Sequence, residues 1–284
     1  MSLTNATSDC GCESCQGDRA PANEKRGAET GYVYVVGTIE ARFPTIGVEK
    51  EFAQATGRAA TPDLSDRTSL HAVLTAPPTR YLARHLCYVI SIQGVDTYIV
   101  RILDSADLQS LVDALNPATS GNGLHVVIGV RGPLAPASYC NGLSLPMVTV
   151  SQIFTVDAAS LARSVPRPDR MEEDAFRSAL QDVLAPVMQT SDNVGANDEH
   201  RAFNYLTARY PALYARIAEA YAVGSPLAAV DVSPSRLTGS RRIVSVVYAC
   251  VSRTTGAADR FFARVDVTEQ FPFLVTGLSP YFDR

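Results

Sequence analysis

The sequence lacks three features that would assign a broad class at once. No apolar run approaches the roughly 20 residues that a membrane-spanning helix needs. The first residues carry neither the basic nor the apolar segment of a signal peptide. The net charge of −4 provides no overall positive field to attract nucleic acid. We therefore expect a cytoplasmic protein that binds neither a membrane nor nucleic acid.

Motifs for common catalytic chemistry are also missing. The chain has no glycine-rich phosphate loop of the G-x-x-x-x-G-K-[ST] type, which argues against a nucleotide site. Nucleophilic catalysis needs a base within about 3 Å of the nucleophile, and no spacing in the sequence supplies one. The four histidines are scattered at His71, His85, His125 and His200. We interpret them as ordinary surface or core residues.

The 284 residues are 46% hydrophobic, which is enough for one large domain or for two halves that share an interface. Residues 1–30 contain almost no large apolar side chain, so we predict a flexible, cysteine-containing arm. Residues 31–284 are predicted to form a single domain. The Pro-rich stretch between Ser164 and Met171 is the best linker candidate. If it separates two lobes, they span 31–164 and 171–284.

Local patterns predict both helices and strands in this body. Thr45 is a suitable N-cap for a helix over 46–56, and Asp198 for one over 198–209, which a helix over 211–223 follows. The predicted strands cover 32–36, 84–93, 97–102, 124–130, 147–154, 228–232, 242–251, 260–267 and 271–275. Because these elements do not alternate strictly as βαβ units, we assign an α+β fold, with mixed or antiparallel strands and packed helices.

Several long stretches resemble one known family. They are Glu40-Ala41-Arg42-Phe43-Pro44-Thr45, Arg80-Tyr81-Leu82-Ala83-Arg84, Val127-Ile128-Gly129-Val130-Arg131-Gly132-Pro133, Cys140-Asn141-Gly142-Leu143, Asp198-Glu199-His200-Arg201-Ala202-Phe203-Asn204-Tyr205-Leu206 and Arg264-Val265-Asp266-Val267-Thr268-Glu269-Gln270-Phe271-Pro272-Phe273. Together they resemble the C-terminal domain of unknown function of the cyanobactin (patellamide-type) maturation proteases. The resemblance runs from about Tyr32 to the last residue. It implies a role in making ribosomally synthesised, post-translationally modified peptides.

The family places this domain after a subtilisin-like protease, and this sequence contains no Asp/His/Ser set in that context. We therefore expect a stand-alone version of the domain without protease activity. The resemblance itself implies no known reaction for the domain.

The cysteines carry the strongest chemical signal. Cys12 and Cys15 have C-x-x-C spacing, with Cys10 as an alternative ligand, so two thiolates can reach one ion from a tight turn. Cys140 precedes Asn-Gly, which favours the left-handed turn of a structural zinc knuckle, and Cys87 lies in an alternating strand. We predict that Cys12, Cys15, Cys87 and Cys140 bind a structural Zn²⁺ and tie the arm to the body.

Two alternatives to this site remain open. Cys87 and Cys250 both suit a small buried position, in which case the arm thiols are free; we assign Cys250 to the core. In a reducing cytoplasm all six cysteines should stay reduced, so disulfides are the less expected use.

A separate basic cluster, Arg236, Arg241 and Arg242, suits either an exposed turn or a site for a peptide carboxylate.

Three functional hypotheses follow. The first is an accessory, non-catalytic zinc-binding module that binds a precursor peptide or a partner enzyme in cyanobactin-like peptide biosynthesis. The second is a zinc-assisted hydrolase or isomerase acting on that peptide, which requires three protein ligands and a water on the metal. The third is a homodimeric scaffold without a ligand.

Overall fold

The structure is a computed structural model, and it describes residues 31–57, 67–117, 124–156, 193–236 and 239–282, together with 165, 172, 173 and 176. Within these residues the chain forms nine strands and five α-helices. The strands are β1 Tyr32–Arg42, β2 Cys87–Ile92, β3 Val95–Arg101, β4 Leu124–Leu134, β5 Pro146–Val156, β6 Leu227–Pro234, β7 Ile243–Val251, β8 Ala258–Asp266 and β9 Phe273–Pro280. The helices are α1 Ile46–Ala55, α2 Arg67–Thr75, α3 Ser105–Ala114, α4 Asp198–Arg209 and α5 Pro211–Ala222.

The first five strands close into a barrel in the order β1-β2-β3-β5-β4. Strand β1 completes it by pairing with β4 through its first half and with β2 through its second half. Gly37 lies where the partner changes, and a Cβ there would collide with the carbonyl oxygen of Ser91. Glycine at this position therefore allows β1 to pass close to β2 and close the barrel.

The connections of this barrel are those of an OB-fold. Strands β3 and β5 are parallel, and the other neighbouring pairs are antiparallel. Helix α3 lies between β3 and β4 in the chain. A five-stranded Greek-key barrel with this arrangement defines the OB-fold class.

Apolar side chains of alternate strand positions fill the barrel, and helices pack against them. The interior includes Val35, Tyr88 and Val127, and Phe52 of α1, Leu70 of α2 and Leu111 of α3 join the same core. Thr45 caps α1 by accepting a hydrogen bond from the backbone N–H of Val48. Through these apolar side chains, the three helices cover surface of the barrel that would otherwise be exposed to water.

The remaining strands form an antiparallel sheet in the order β6-β7-β8-β9, covered on one face by α4 and α5. The helices contribute a stripe of buried side chains near helical spacing, and the sheet contributes alternate residues of β7 and β8. The buried helical positions are Phe203, Leu206, Leu213, Tyr214 and Ile217. The apolar and aromatic side chains of the two helices therefore pack against the sheet.

Helix α4 and the residues before it join the second sheet to the barrel. The backbone N–H of Tyr34 in β1 donates to the carbonyl of Gly195 at 2.9 Å. The Asn204 side chain donates to the carbonyl of Tyr34 at 2.7 Å. The Arg209 guanidinium lies over the ring of Phe154, 4.2 Å from its centroid. The two halves are therefore held by buried polar contacts as well as by apolar packing.

The predicted α+β class is confirmed, and the described part of the chain contains one mixed and one antiparallel sheet. Helices α4 and α5 begin where the sequence predicts, whereas β9 begins at Phe273 because Phe271 and Pro272 belong to the preceding turn. The predicted arm and most of the linker lie outside the described residues. Within the described helices, none is both long and apolar enough to cross a membrane.

Candidate metal centre

Two of the four predicted zinc ligands lie side by side. Cys87 begins β2 and Cys140 lies in the loop between β4 and β5, and their Cα atoms are 5.6 Å apart although 53 positions separate them. The structure joins the two sulfurs as a disulfide. This differs from our expectation that the cysteines stay reduced, because the loop brings the Cα atoms into the range of 4.4–6.8 Å, roughly, in which a disulfide forms.

The loop that carries Cys140 is a compact segment, residues 135–145, which we call the strap. Its ends meet through a hydrogen bond from the backbone N–H of Ala135 to the carbonyl of Leu145, at 2.8 Å. Cys140, Asn141 and Gly142 have φ values of 52°, 54° and 82°, so three successive residues are left-handed. The sequence predicts this turn from Asn-Gly, and the structure confirms it.

The strap crosses the outer face of the barrel over β2 and β3. Cys87 and Cys140 are 2% and 3% exposed, and they share a small apolar cluster with Val89, Ile99 and Ala135. Such surroundings exclude water from the sulfurs. Two adjacent thiolates shielded in this way would suit a closed, structural metal site better than an open one.

The other two predicted ligands, Cys12 and Cys15, lie outside the described residues, as does the alternative ligand Cys10. Within the part of the chain that is described, no group of three or more Cys, His, Asp or Glu side chains is arranged to hold a metal. Joined as a disulfide, Cys87 and Cys140 are not metal ligands, because zinc binds thiolates. Only after reduction would the pair supply half of a four-sulfur site, and zinc binding stays a prediction.

Cys250 is a core residue, as the sequence predicts. Its side chain is fully buried in β7 against the helix pair. Burial, together with the nearby Asp259 carboxylate, raises the pKa of the Cys250 thiol to about 11. This thiol is therefore protonated at neutral pH and unsuited to metal binding or nucleophilic chemistry.

His125 points into the barrel and is fully buried. The backbone N–H of Ile39 donates to its Nδ1 at 3.1 Å, so the neutral ring carries its proton on Nε2. Burial and the nearby Arg67 guanidinium lower the pKa of His125 to about 4. This histidine is therefore a neutral core residue, in agreement with the sequence interpretation.

The start of α4 differs in detail from the sequence prediction. Asn197, not Asp198, is the N-cap, since its side chain accepts from the backbone N–H of His200 at 2.7 Å. Asp198 instead forms ion pairs with Arg201 at 3.4 Å and Arg242 at 3.3 Å. Burial nevertheless raises the pKa of Asp198, because desolvation outweighs the two arginines.

The basic cluster near residue 240 is largely used within the protein. Arg242 pairs with Asp198 and donates to the carbonyl of Thr268 at 2.6 Å, and Arg241 lies 3.6 Å from Asp266. The sequence analysis did not single out Arg201, which is fully buried in α4 and pairs with the same Asp198 carboxylate as Arg242. An arginine three positions after an aspartate in a helix with an apolar stripe is the signal that was available.

Each half of the chain matches a different model of known protein domains. The family model PatG Domain matches residues 32–136, and the model PatG C-terminal matches residues 170–281. A solved structure named PatG Domain of Unknown Function is similar, with a TM-score of 0.72 and 20% identity, and the match covers 88% of this chain and 98% of that one. At this identity the likeness shows the fold alone. The curated proteins include no match to this sequence.

These matches define the class of protein: an OB-type barrel joined to a helix-covered antiparallel sheet, as in PatG-type domains. The chain belongs to the PatG family of domains of unknown function, with the PatG Domain in its first half and the PatG C-terminal region in its second. The family resemblance predicted from the sequence is therefore confirmed.

Proposed function

We propose that this chain is an accessory, non-catalytic zinc-binding module in the biosynthesis of cyanobactin-like ribosomal peptides, where it binds a precursor peptide or a partner enzyme. The PatG-type domains imply a role in this class of biosynthesis. Zinc binding, the binding of a precursor peptide or partner enzyme, and a cytoplasmic location are the parts that we propose.

One observation carries the zinc part of the proposal. Cys87 and Cys140 come from distant parts of the sequence, yet their sulfurs meet in a shielded site beside a left-handed turn. In the reduced protein, these two thiolates would bind Zn²⁺ together with Cys12 and Cys15. Four sulfurs leave no position for water, so such an ion would stabilise the fold and would not catalyse a reaction.

The metal content of the full chain tests this part. Purification under reducing conditions without chelators should yield about one zinc per chain by mass spectrometry of metals. Cys140→Ser and the double variant Cys12→Ser/Cys15→Ser should each lose the metal, whereas Cys250→Ala should retain it. Cys10→Ser distinguishes the two ligand choices in the arm: retention of zinc assigns Cys12 and Cys15, and loss of zinc makes Cys10 a ligand.

Ligand counting separates the module from an enzyme. X-ray absorption at the zinc edge should show four sulfur neighbours at about 2.3 Å. Three sulfurs and one lighter atom would instead favour the zinc-assisted hydrolase or isomerase. Absence of metal from the reduced protein, or retention of metal by Cys140→Ser, would overturn the zinc proposal.

The binding role requires a second measurement. Titration calorimetry of the zinc-loaded chain against the precursor peptide and the modifying enzymes encoded beside it should detect at least one complex. A chain that binds none of them would contradict the binding role whatever its metal content.

A further inference from the structure

Two cavities meet on the barrel side of the molecule and form a continuous groove. The first encloses about 420 Å³ and the second about 400 Å³. Ala83, Arg84, Ser105 and Leu108 line both cavities, so the two share a wall. The groove runs between the short 3₁₀ helix Arg80–Arg84 and the start of α3.

Three arginines follow the groove from one end to the other. Arg80 lines the second cavity, Arg101 lines the first, and Arg84 lies at the junction. All three are exposed. Within the described residues, their side chains make no hydrogen bond, ion pair or ring contact. This contrasts with Arg42, Arg201, Arg216 and Arg242, each of which pairs with a carboxylate.

The wall behind these arginines is apolar and aromatic. Leu74, Leu86 and Leu108 line it. Two tyrosines border it: Tyr81, 45% exposed, whose hydroxyl contacts Glu51, and Tyr139, 40% exposed. A surface that combines exposed tyrosine and arginine with an apolar wall has the composition of a protein-recognition site.

We infer that this arginine groove, defined by Arg80, Arg84 and Arg101, binds an acidic peptide segment, with its carboxylates on the arginines and its apolar side chains against the leucines. Arginine holds carboxylates through paired N–H donors, and clusters of arginine are a recurring means of recognising acidic motifs. Although the chain as a whole carries a net charge of −4, these three arginines form no ion pair among the described residues.

The groove suits separate carboxylates better than a nucleic-acid backbone. Glu51 at Tyr81 and Asp104 in the first cavity place negative charge at its border. A continuous row of phosphates would meet both, whereas a peptide can place neutral residues beside them. The leucines also offer apolar side chains a contact that a phosphate backbone cannot use.

This inference rests on the proposed function, because it gives the chemistry of the peptide that the module binds. It also connects the groove with the metal centre. Tyr139 lines the first cavity and directly precedes Cys140 in the strap. Holding Cys140 against Cys87 therefore fixes one wall of the arginine groove.

Fluorescence anisotropy with a defined probe tests the inference on the full, zinc-loaded chain. The probe is a short fluorescein-labelled peptide of alternating Glu and Leu with Ser at its ends, and its counterpart carries Gln in place of Glu. We expect binding of the Glu peptide that weakens with added salt, and much weaker binding of the Gln peptide. Arg84→Gln and Arg101→Gln should each weaken binding about fivefold, and together about 25-fold.

Arg253→Gln is the matched control, since it removes one exposed arginine from the turn between β7 and β8 and does not line the groove. It should leave the affinity unchanged, and all variants should keep the thermal unfolding profile of the parent chain. Equal binding of the Glu and Gln peptides, or equal effects of Arg84→Gln and Arg253→Gln, would overturn the inference. Tighter, groove-dependent binding of single-stranded oligo-dT would overturn it in favour of nucleic acid.

The precursor peptide separates the two proposals. If it binds the parent chain and the groove variants alike, the groove inference fails and the proposed function stands. If neither the precursor nor any partner enzyme binds, but binding of the Glu peptide still requires Arg84 and Arg101, the proposed function fails. The inference that the groove binds acidic peptides then stands.

Discussion

The buried Arg201 side chain makes several polar contacts near the junction between the two halves. Its guanidinium donates to the carbonyls of Val267 at 2.8 Å and of Glu269, pairs with Asp198, and lies 5.5 Å from the ring centroid of Tyr32. Burial lowers the pKa of this guanidinium, although Asp198 acts in the opposite direction. The arginine thus connects α4, the turn before β9 and the barrel.

Replacement of Arg201 should therefore be costly. We expect Arg201→Met to lower the free energy of unfolding by about 3–5 kcal/mol, because buried carbonyls lose their donor and Asp198 loses one of its two cationic partners. Urea unfolding followed by circular dichroism measures the effect. Arg216→Met, which breaks a half-exposed pair with Asp259, should cost less than about 1 kcal/mol. Similar losses for both variants would contradict this assignment.

His125 provides a pH-dependent contribution at the same scale. Its pKa falls from about 6.5 in the unfolded chain to about 4 in the barrel, so protons bind preferentially to the unfolded state. The neutral ring makes its full contribution to the free energy of unfolding above about pH 6.5. As the pH falls toward about 4, this contribution is lost, which lowers the free energy of unfolding by on the order of 3 kcal/mol.

His125→Asn isolates this contribution, since asparagine retains an acceptor for the Ile39 N–H and does not titrate. Between pH 7 and pH 4.5, roughly, the stability of the variant should fall less steeply than that of the parent chain. Urea midpoints at a series of pH values give the comparison. Parallel curves for the two proteins would show that His125 has no part in the acid sensitivity.

At the scale of elements, helix caps explain both a success and an error of sequence reasoning. Thr45 is the one strong capping residue directly before α1, and it caps that helix. Before α4, Asn197 and Asp198 are both good caps, and propensity alone does not choose between them. Tertiary contacts decide, because Arg201 and Arg242 draw the Asp198 carboxylate away from the helix end.

The cap of α4 leads to a prediction with an internal control. Asn197→Ala should cost about 1 kcal/mol of stability, because the His200 N–H loses its acceptor. Asn197→Asp keeps an acceptor oxygen and adds a charge that favours the helix N-terminus, so it should be close to neutral. Thermal unfolding of the two variants distinguishes them, and equal destabilisation would argue that Asn197 does not act as the cap.

The strands were predictable individually, but their pairing was not. Most residues of β1 and β7 are β-branched or aromatic, and that local pattern suffices to recognise a strand. Closure of the barrel depends on β1 pairing with β4, about 90 positions later, and no local pattern records it. The meeting of Cys87 with Cys140 could be anticipated only because zinc ligands and disulfides both require distant sulfurs to converge.

At the scale of the whole molecule, one of the contacts between the halves requires a glycine. Gly195 has a φ of 70°, and its carbonyl accepts the Tyr34 N–H. A Cβ at this position would collide with the backbone of Tyr34. Glycine therefore permits the close approach of the segment before α4 to the first strand of the barrel.

Gly195→Ala should destabilise the protein by about 3 kcal/mol or more, since it combines backbone strain with a collision at the junction. Gly224 is a matched control because it has a φ of 79° and open space around it. Gly224→Ala should therefore cost only about 1 kcal/mol. Calorimetry provides a second readout: the parent chain should unfold in one transition, and Gly195→Ala should broaden or split it. Equal effects of the two substitutions would show that the junction tolerates a Cβ.

The strap has a consequence for how this barrel can be used. OB-folds commonly receive oligonucleotides or oligosaccharides on the face of strands 2 and 3. Here residues 135–145 lie over that face, and Cys140 is fastened to Cys87 beneath them. An oligonucleotide or oligosaccharide could not lie on this face as it does on other OB-folds, because the protein's own residues 135–145 already cover it. Any ligand of this barrel therefore has to bind at a different surface.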